Sequence, residues 1–209
     1  MNANDNTLSF RHLKSTPKLE SNPYKLITRR IDSMKIRHNH KRDLDVNVSF
    51  TKELDINKDI AFRAGAIIYT HDKVTGETYF CFGVDTQSGN LTDFGGGVKK
   101  EETIVEGGLR ELEEESQGIF GHLDPEDVGK MVSFHCYNMA IIFIAMKVNR
   151  EGIRQEFKSK VKNSPFPEVC DIVWLSKEEL LESIHGRGKK LYIRVRRLLN
   201  KVTSTITAL

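Results

Sequence analysis

Chemistry-bearing residues crowd into one stretch, Gly95-Gly-Gly-Val-Lys-Lys-Glu-Glu-Thr-Ile-Val-Glu-Gly-Gly-Leu-Arg-Glu-Leu-Glu-Glu-Glu-Ser-Gln-Gly-Ile119. Placed on a helix from about Glu102 to Ser116, at about 100° per residue, Val105, Leu109 and Leu112 form an apolar stripe. Glu111, Glu114 and Glu115 fall on a neighbouring face, and Glu113 lies about 160° from Glu111, turned away from them. Three carboxylates on one face repel, at a few tenths of a kcal/mol per pair spaced i,i+3 or i,i+4, roughly as for other like charges. The helix dipole near the C-terminus opposes them further. A divalent cation would relieve both, and an all-oxygen donor set suits Mg2+ or Mn2+ rather than Zn2+. Taken alone, such a cluster reads more readily as an exposed acidic face.

Two features shift that balance. Gly107 and Gly108 sit inside the helix, where each costs about 1 kcal/mol relative to alanine. Their missing side chains would let a strand or loop come close. Gly95, Gly96 and Gly97 are expected as a turn between a strand and the helix, permitting close approach of a ligand.

These residues need elements to hold them. Strands are predicted at Ala61–Thr70, Thr78–Val84, Met131–Tyr137, Met139–Val148 and Cys170–Leu175, from short apolar or alternating runs. Leu91–Phe94 leads into the glycines. Helices are predicted at Glu151–Lys162, at Ser176–Ile184 with Ser176 as N-cap and Glu179 three residues on, and at Leu191–Val202. Tyr24–Arg37 reads as a basic helix and Leu44–Phe50 as an alternating strand, while residues 1–23 lack periodicity. Strands mixed with a few helices imply an α+β sandwich around a mixed sheet.

The carboxylate stretch resembles the signature box of the Nudix hydrolases, G-x5-E-x7-R-E-U-x-E-E-x-G-U, with U a bulky apolar residue. Gly96, Glu102, Arg110, Glu111, Leu112, Glu114 and Glu115 match at the required spacing. Gln117 stands where glycine is expected, and Gly118-Ile119 follow one residue late, which reads as a one-residue insertion in the turn. A looser resemblance runs from Ile60 to Ile184, including Glu168-Val-Cys-Asp-Ile-Val-Trp-Leu175. The implied organisation is a Nudix-type αβα sandwich at 59–186, a basic extension at 1–58 and a basic C-terminal helix at 187–209.

The resemblance implies hydrolysis of a nucleoside diphosphate linked to another group. It places Mg2+ or Mn2+ on Glu111, Glu114 and Glu115, supported by Glu102, with Arg110 holding a glutamate and Gly95, Gly96 and Gly97 near substrate. Glu115 is one candidate for the base that takes the water's proton, and Glu168 is another. Some family members, including enzymes of large DNA viruses, remove the cap of messenger RNA, and Phe94–Lys100 with a separate N-terminal region looks somewhat like that subgroup. Free dinucleotides, nucleotide sugars and inositol pyrophosphates are alternative substrates. A non-catalytic binding module would usually lack some of the box carboxylates, and all are present here. Tyr79, Phe82, Phe94, Phe143 and Trp174 are available to stack on a base, though core packing suits each of them better.

Charge is consistent with a polyanionic partner. The chain of 209 residues has a net charge of +3, yet residues 1–58 hold 12 Lys/Arg against 7 Asp/Glu, and residues 184–209 hold 7 against none. Arg29, Arg30, Lys189, Lys190, Arg194 and Arg197 are the candidate RNA contacts. The hydrophobic fraction of 38% and charged fraction of 29% suit a globular chain. No apolar run reaches the roughly 20 residues of a membrane span. The opening residues lack a secretory pattern, so a cytoplasmic or nuclear location is expected. Cys81, Cys136 and Cys170 are too few and too scattered for a disulfide framework or zinc site, and are expected as buried thiols.

Overall fold

The computed structural model describes residues 63–209, apart from 127, 129, 130, 137 and 138, together with the backbone of one strand at 46–49. The basic helix expected at Tyr24–Arg37 and the aperiodic segment before it lie outside the described residues.

Eight strands form one sheet. They are β1 (Val46–Ser49), β2 (Arg63–His71), β3 (Thr78–Asp85), β4 (Leu91–Thr92), β5 (Phe94–Gly97), β6 (Met131–Cys136), β7 (Met139–Ala145) and β8 (Val169–Ser176). The order is β1-β6-β7-β2-β3-β4, with β5 on β2 and β8 on β3. β2 and β7 run parallel, and the other pairs are antiparallel. The sheet is therefore mixed and the fold α+β.

Near-continuous apolar runs in β2 and β7 follow from burial on both faces. One face carries Ile67, Tyr69, Ile141 and Phe143, and the other carries Ala66, Ile68, Ile142 and Ile144. The second face is covered by Val105, Leu109 and Leu112 of α1 (Ile104–Glu115) and by Phe157 of α2 (Arg150–Val161). The first is covered by α3 (Lys177–Ile184), α4 (Ile193–Lys201) and α5 (Thr203–Ala208), through Leu180, Ile184, Val195, Leu198, Leu199 and Ile206. Each such side chain contributes about 1.5–3 kcal/mol on burial.

Several expectations need correcting. Gly95–Gly97 are not a turn. They complete β5, paired with Arg63–Gly65 of β2, and the turn is the next segment, where the Glu102 amide donates to the Lys99 carbonyl at 3.0 Å. The helix starts two residues later than predicted, because Thr103 is its N-cap and closes a capping box with Glu106. Glu102 thus stands just outside the helix. Ser176 and Glu179 form the capping box predicted for α3. The single C-terminal helix divides into α4 and α5 at Val202. Cys81 is buried, but Cys170 is exposed. It falls at a shift of register, where Val169 lies opposite Asp85 and Asp171 opposite Val84.

The glycines inside α1 have a packing reason. A Cβ on Gly108 would come within 2.8 Å of Ile142 Cδ1 and 3.6 Å of the Ala64 Cβ, so the helix lies directly on β2 and β7. Gly107 faces Val98 and the Glu102 carboxylate. The close contact offsets the propensity lost at both positions. Beyond α1, Gln117 and Gly118 both take positive φ, at 56° and 65°. The chain thus makes two left-handed steps before Ile119 enters the core.

Candidate functional site

The site is the seam between the glycine strand β5 and the face of α1 that follows it. Arg110, midway along α1, gathers the carboxylates. Its Nε donates to Glu102 Oε1 at 2.6 Å and its Nη1 to Glu111 Oε1 at 2.7 Å. Nη1 also reaches Glu114 Oε2 at 3.2 Å, and Nη2 donates to the Gly97 carbonyl at 2.8 Å. One guanidinium thus ties three glutamates to the end of β5 through charge-assisted bonds. It holds the Glu102 carboxyl below its ordinary range, aided by the Lys99 amide, and its own pKa is raised in return, chiefly through Glu102.

The remaining box glutamate does something different. Glu115 turns inward, and its Oε2 accepts the Gly95 amide at 2.7 Å. Burial pushes its pKa up to about 8, with repulsion from Asp93 and Glu168 adding to the effect. The Gly95 amide and Arg63 oppose the rise. A carboxyl tuned near neutral pH can both hold and accept a proton.

The glycines make room for these carboxylates. A Cβ on Gly96 would overlap the Glu111 carboxylate, and a Cβ on Gly95 would overlap the backbone of Gly65 and Ala64. A side chain at 96 would therefore displace the Glu111 carboxylate from the place where Arg110 holds it.

The sequence matches all of this to a known pattern once Arg110 is seen bonded to Glu102, Glu111 and Glu114. The segment from Gly96 to Glu115 has the spacing of residues that resembles a Nudix box. No family model matches the chain, and no curated protein does either. Among solved structures, a C. elegans Ap4A hydrolase in a binary complex aligns over 72% of this chain and 100% of its own, at 16% identity and a TM-score of 0.40. RenU, a Nudix hydrolase from M. smegmatis, aligns over 71% of this chain and 87% of its own, at 13% identity and a TM-score of 0.45. The Bacillus subtilis pyrophosphohydrolase BsRppH aligns over 78% of this chain and 90% of its own, at 14% identity and a TM-score of 0.45. Likeness at this level carries nothing about substrate.

Not every box residue converges. Glu114 is more than half exposed, whereas the Glu111 side chain is 13% exposed and Arg110 20%. Among the described residues, no three carboxylate, imidazole or thiolate groups meet as a ready-made metal centre. The donor chemistry nevertheless fits a hard cation, because Glu111, Glu114 and Glu115 offer only oxygens. Glu113 is turned away, as the helical wheel predicts, and its carboxylate bonds His122 Nδ1 at 2.7 Å. Glu168 is exposed, and it stands close enough to Glu115 to raise that carboxyl's pKa. Phe82, Phe94 and Phe143 are fully buried and cannot stack on a base. Tyr79 lies beneath the Arg150 guanidinium, 3.5 Å from its ring centre. Arg29 and Arg30 lie outside the described residues, and Lys189, Lys190, Arg194 and Arg197 are exposed on the other face of the sheet from α1.

One pair escaped the sequence reading. Arg63, opening β2, donates from Nη1 to Asp93 Oδ2 at 2.6 Å, and from Nη2 to Asp93 Oδ1 at 3.0 Å and the Gly95 carbonyl at 2.8 Å. Asp93 is fully buried. Its carboxylate fills the space where Gly65 lacks a side chain. Gly95 is thus held from both sides, its carbonyl by Arg63 and its amide by Glu115. The available signal was a lone charge of each sign beside two apolar strands.

Proposed function

We propose that this chain is a Nudix hydrolase that cleaves a diphosphate linkage in a nucleoside diphosphate derivative, using Mg2+ or Mn2+ held by Glu111, Glu114 and Glu115. The observation that carries the reading is the Arg110 cluster on the glycine strand, with Glu115 set apart at the Gly95 amide.

A bound divalent cation would neutralise diphosphate charge and acidify a water molecule. The chain's own groups do the rest. Arg110 fixes Glu102 and Glu111 against β5 and holds the Glu102 carboxyl below its ordinary range. Arg63 and Asp93 hold the Gly95 peptide, which orients Glu115. Glu115, held at the Gly95 amide, is the first candidate to take the proton of that water. Glu168 is the second candidate for that role, since it faces the same region from the start of β8. Of the three glycines of β5, Gly97 is the one with open space beside it for the approach of a phosphate.

Capped RNA is the substrate we favour, because both ends of the chain are basic. Free dinucleotides, nucleotide sugars and inositol pyrophosphates are the competing class. Product analysis after incubation with Mg2+ or Mn2+ and a panel of capped RNA, dinucleoside polyphosphates, nucleotide sugars and inositol pyrophosphates separates them. Release of a methylated nucleoside diphosphate from capped RNA supports the first reading. Turnover of small substrates alone removes it, and no turnover of any would leave a binding module.

A further inference from the structure

α4 buries Val195, Leu198 and Leu199 and leaves Ile193, Arg194, Arg197 and Asn200 outside. An open cleft of about 390 Å³ lies between this outer face and the end of α3, lined by Ile184, His185, Ile193, Arg196, Arg197 and Asn200. No acid lines it. Ile193, Arg197 and Asn200 follow at helical spacing and share one stripe. Arg196 braces the cleft, with Nε donating to the Ile184 carbonyl at 3.0 Å and its guanidinium lying against Gly186.

The charge around the cleft is uncompensated. Residues 184–209 contain 7 Lys/Arg and no Asp/Glu. Among the described residues, Arg187, Lys189, Lys190, Arg194 and Arg197 form no ion pair. Cations strung along a loop and a helix suit an extended polyanion better than a single phosphate. Arg194 lies over the Tyr192 ring at 4.8 Å, presenting a flat guanidinium. Ile193 is 55% exposed beside these charges, giving an apolar contact for an unstacked base. A lipid surface would need a broader apolar face, and the other apolar residues of α4 are buried.

The loop that precedes α4 is tied to β4. The Leu91 amide donates to the Lys190 carbonyl at 2.8 Å, and the Tyr192 amide donates to the Leu91 carbonyl at 2.7 Å.

We propose that the α3–α4 cleft, through Arg197, Asn200 and Ile193, binds single-stranded RNA. The proposal deepens the capped-RNA reading, but the binding itself does not rest on hydrolysis.

The test is fluorescence anisotropy of a short, labelled, uncapped RNA with the full chain in chelator, across a salt series. The chelator and the missing cap make the result independent of hydrolysis, so a failed hydrolase reading leaves it standing. Binding should weaken steeply with salt. Arg197→Glu should weaken it about tenfold or more and lower the salt slope by about 1. Arg197→Lys should keep most of the affinity and the slope. Equal affinity and slope in wild type and Arg197→Glu would overturn the proposal. Equal loss in Arg197→Lys and Arg197→Glu would do so too, since a phosphate contact survives the exchange of one cation for another. Binding to phosphatidylserine vesicles without binding to RNA would assign the face to membranes instead.

Discussion

Glu115 on α1 accepts a hydrogen bond at 2.7 Å from the amide of Gly95, twenty residues earlier on β5. The bond places a half-buried carboxyl under the glycine strand, and burial pushes its pKa up to about 8 from an ordinary 4.5. The folded chain therefore binds this proton more tightly than the unfolded chain. Its contribution to stability is complete below about pH 4.5 and is lost as pH rises through 8. Without divalent cations, stability should fall between pH 5 and 9 by an amount on the order of a few kcal/mol, less any solvent screening. Glu115→Gln should flatten that decline, as read from denaturant midpoints across the pH series.

Turnover should depend on divalent metal and disappear in chelator. Glu114→Gln and Glu115→Gln should each lower kcat by orders of magnitude while leaving the fold intact by circular dichroism. Full turnover in excess chelator would remove the metal from the mechanism.

Glu113→Gln should leave turnover within about twofold, as for surface substitutions away from a site. Its partner His122 has a pKa raised above the ordinary value, chiefly by the hydrogen bond it donates to Glu113. The pair's contribution is present below the ordinary histidine range and is lost as pH rises through the raised value. Titration of His122 followed by NMR should shift to lower pH in Glu113→Gln. A kinetic defect as severe as that of Glu114→Gln would mean that the helix presents another face to substrate.

Arg63→Met strands the buried Asp93 carboxylate, at a cost of about 3–5 kcal/mol. Arg63→Met combined with Asp93→Asn should recover part of that loss, since no buried charge then stands unpaired. Chemical denaturation of the two variants and wild type measures the difference. Additive losses in the double variant would show that the pair does not act as a unit.

The acidic helix was legible because its spacing is local. Apolar positions at 105, 109 and 112 fix which way α1 faces, and that in turn fixes Glu113 outward and Glu111 toward β5. The capping box at Ser176 and Glu179 is local in the same sense. What depends on partners distant in sequence was not legible. The glycines looked like a turn because glycine is rare in strands, yet β2 supplies Gly65 and Ala64 against which only glycine fits. The Arg63–Asp93 pair spans 30 residues, and neither charge carries a local pattern. Cys170 looked buried because it sits within an apolar run, but it falls where the pairing of β8 with β3 shifts register, and it is exposed.

The bonds from Leu91 to Lys190 and Tyr192 make the C-terminal segment a selvage for the sheet. β4 is the last strand in its order, and a bare strand there would invite pairing with a neighbouring chain. Here the backbone at Lys190–Tyr192 occupies that border, while α4 and α5 cover the adjoining apolar face. Shortening the protein after Ile184 would strip the border and the cover together. The expected product is a chain that aggregates with concentration, visible by light scattering, rather than a smaller enzyme with weaker RNA binding. The segment that carries seven cations and no acid is thus also the one that borders β4.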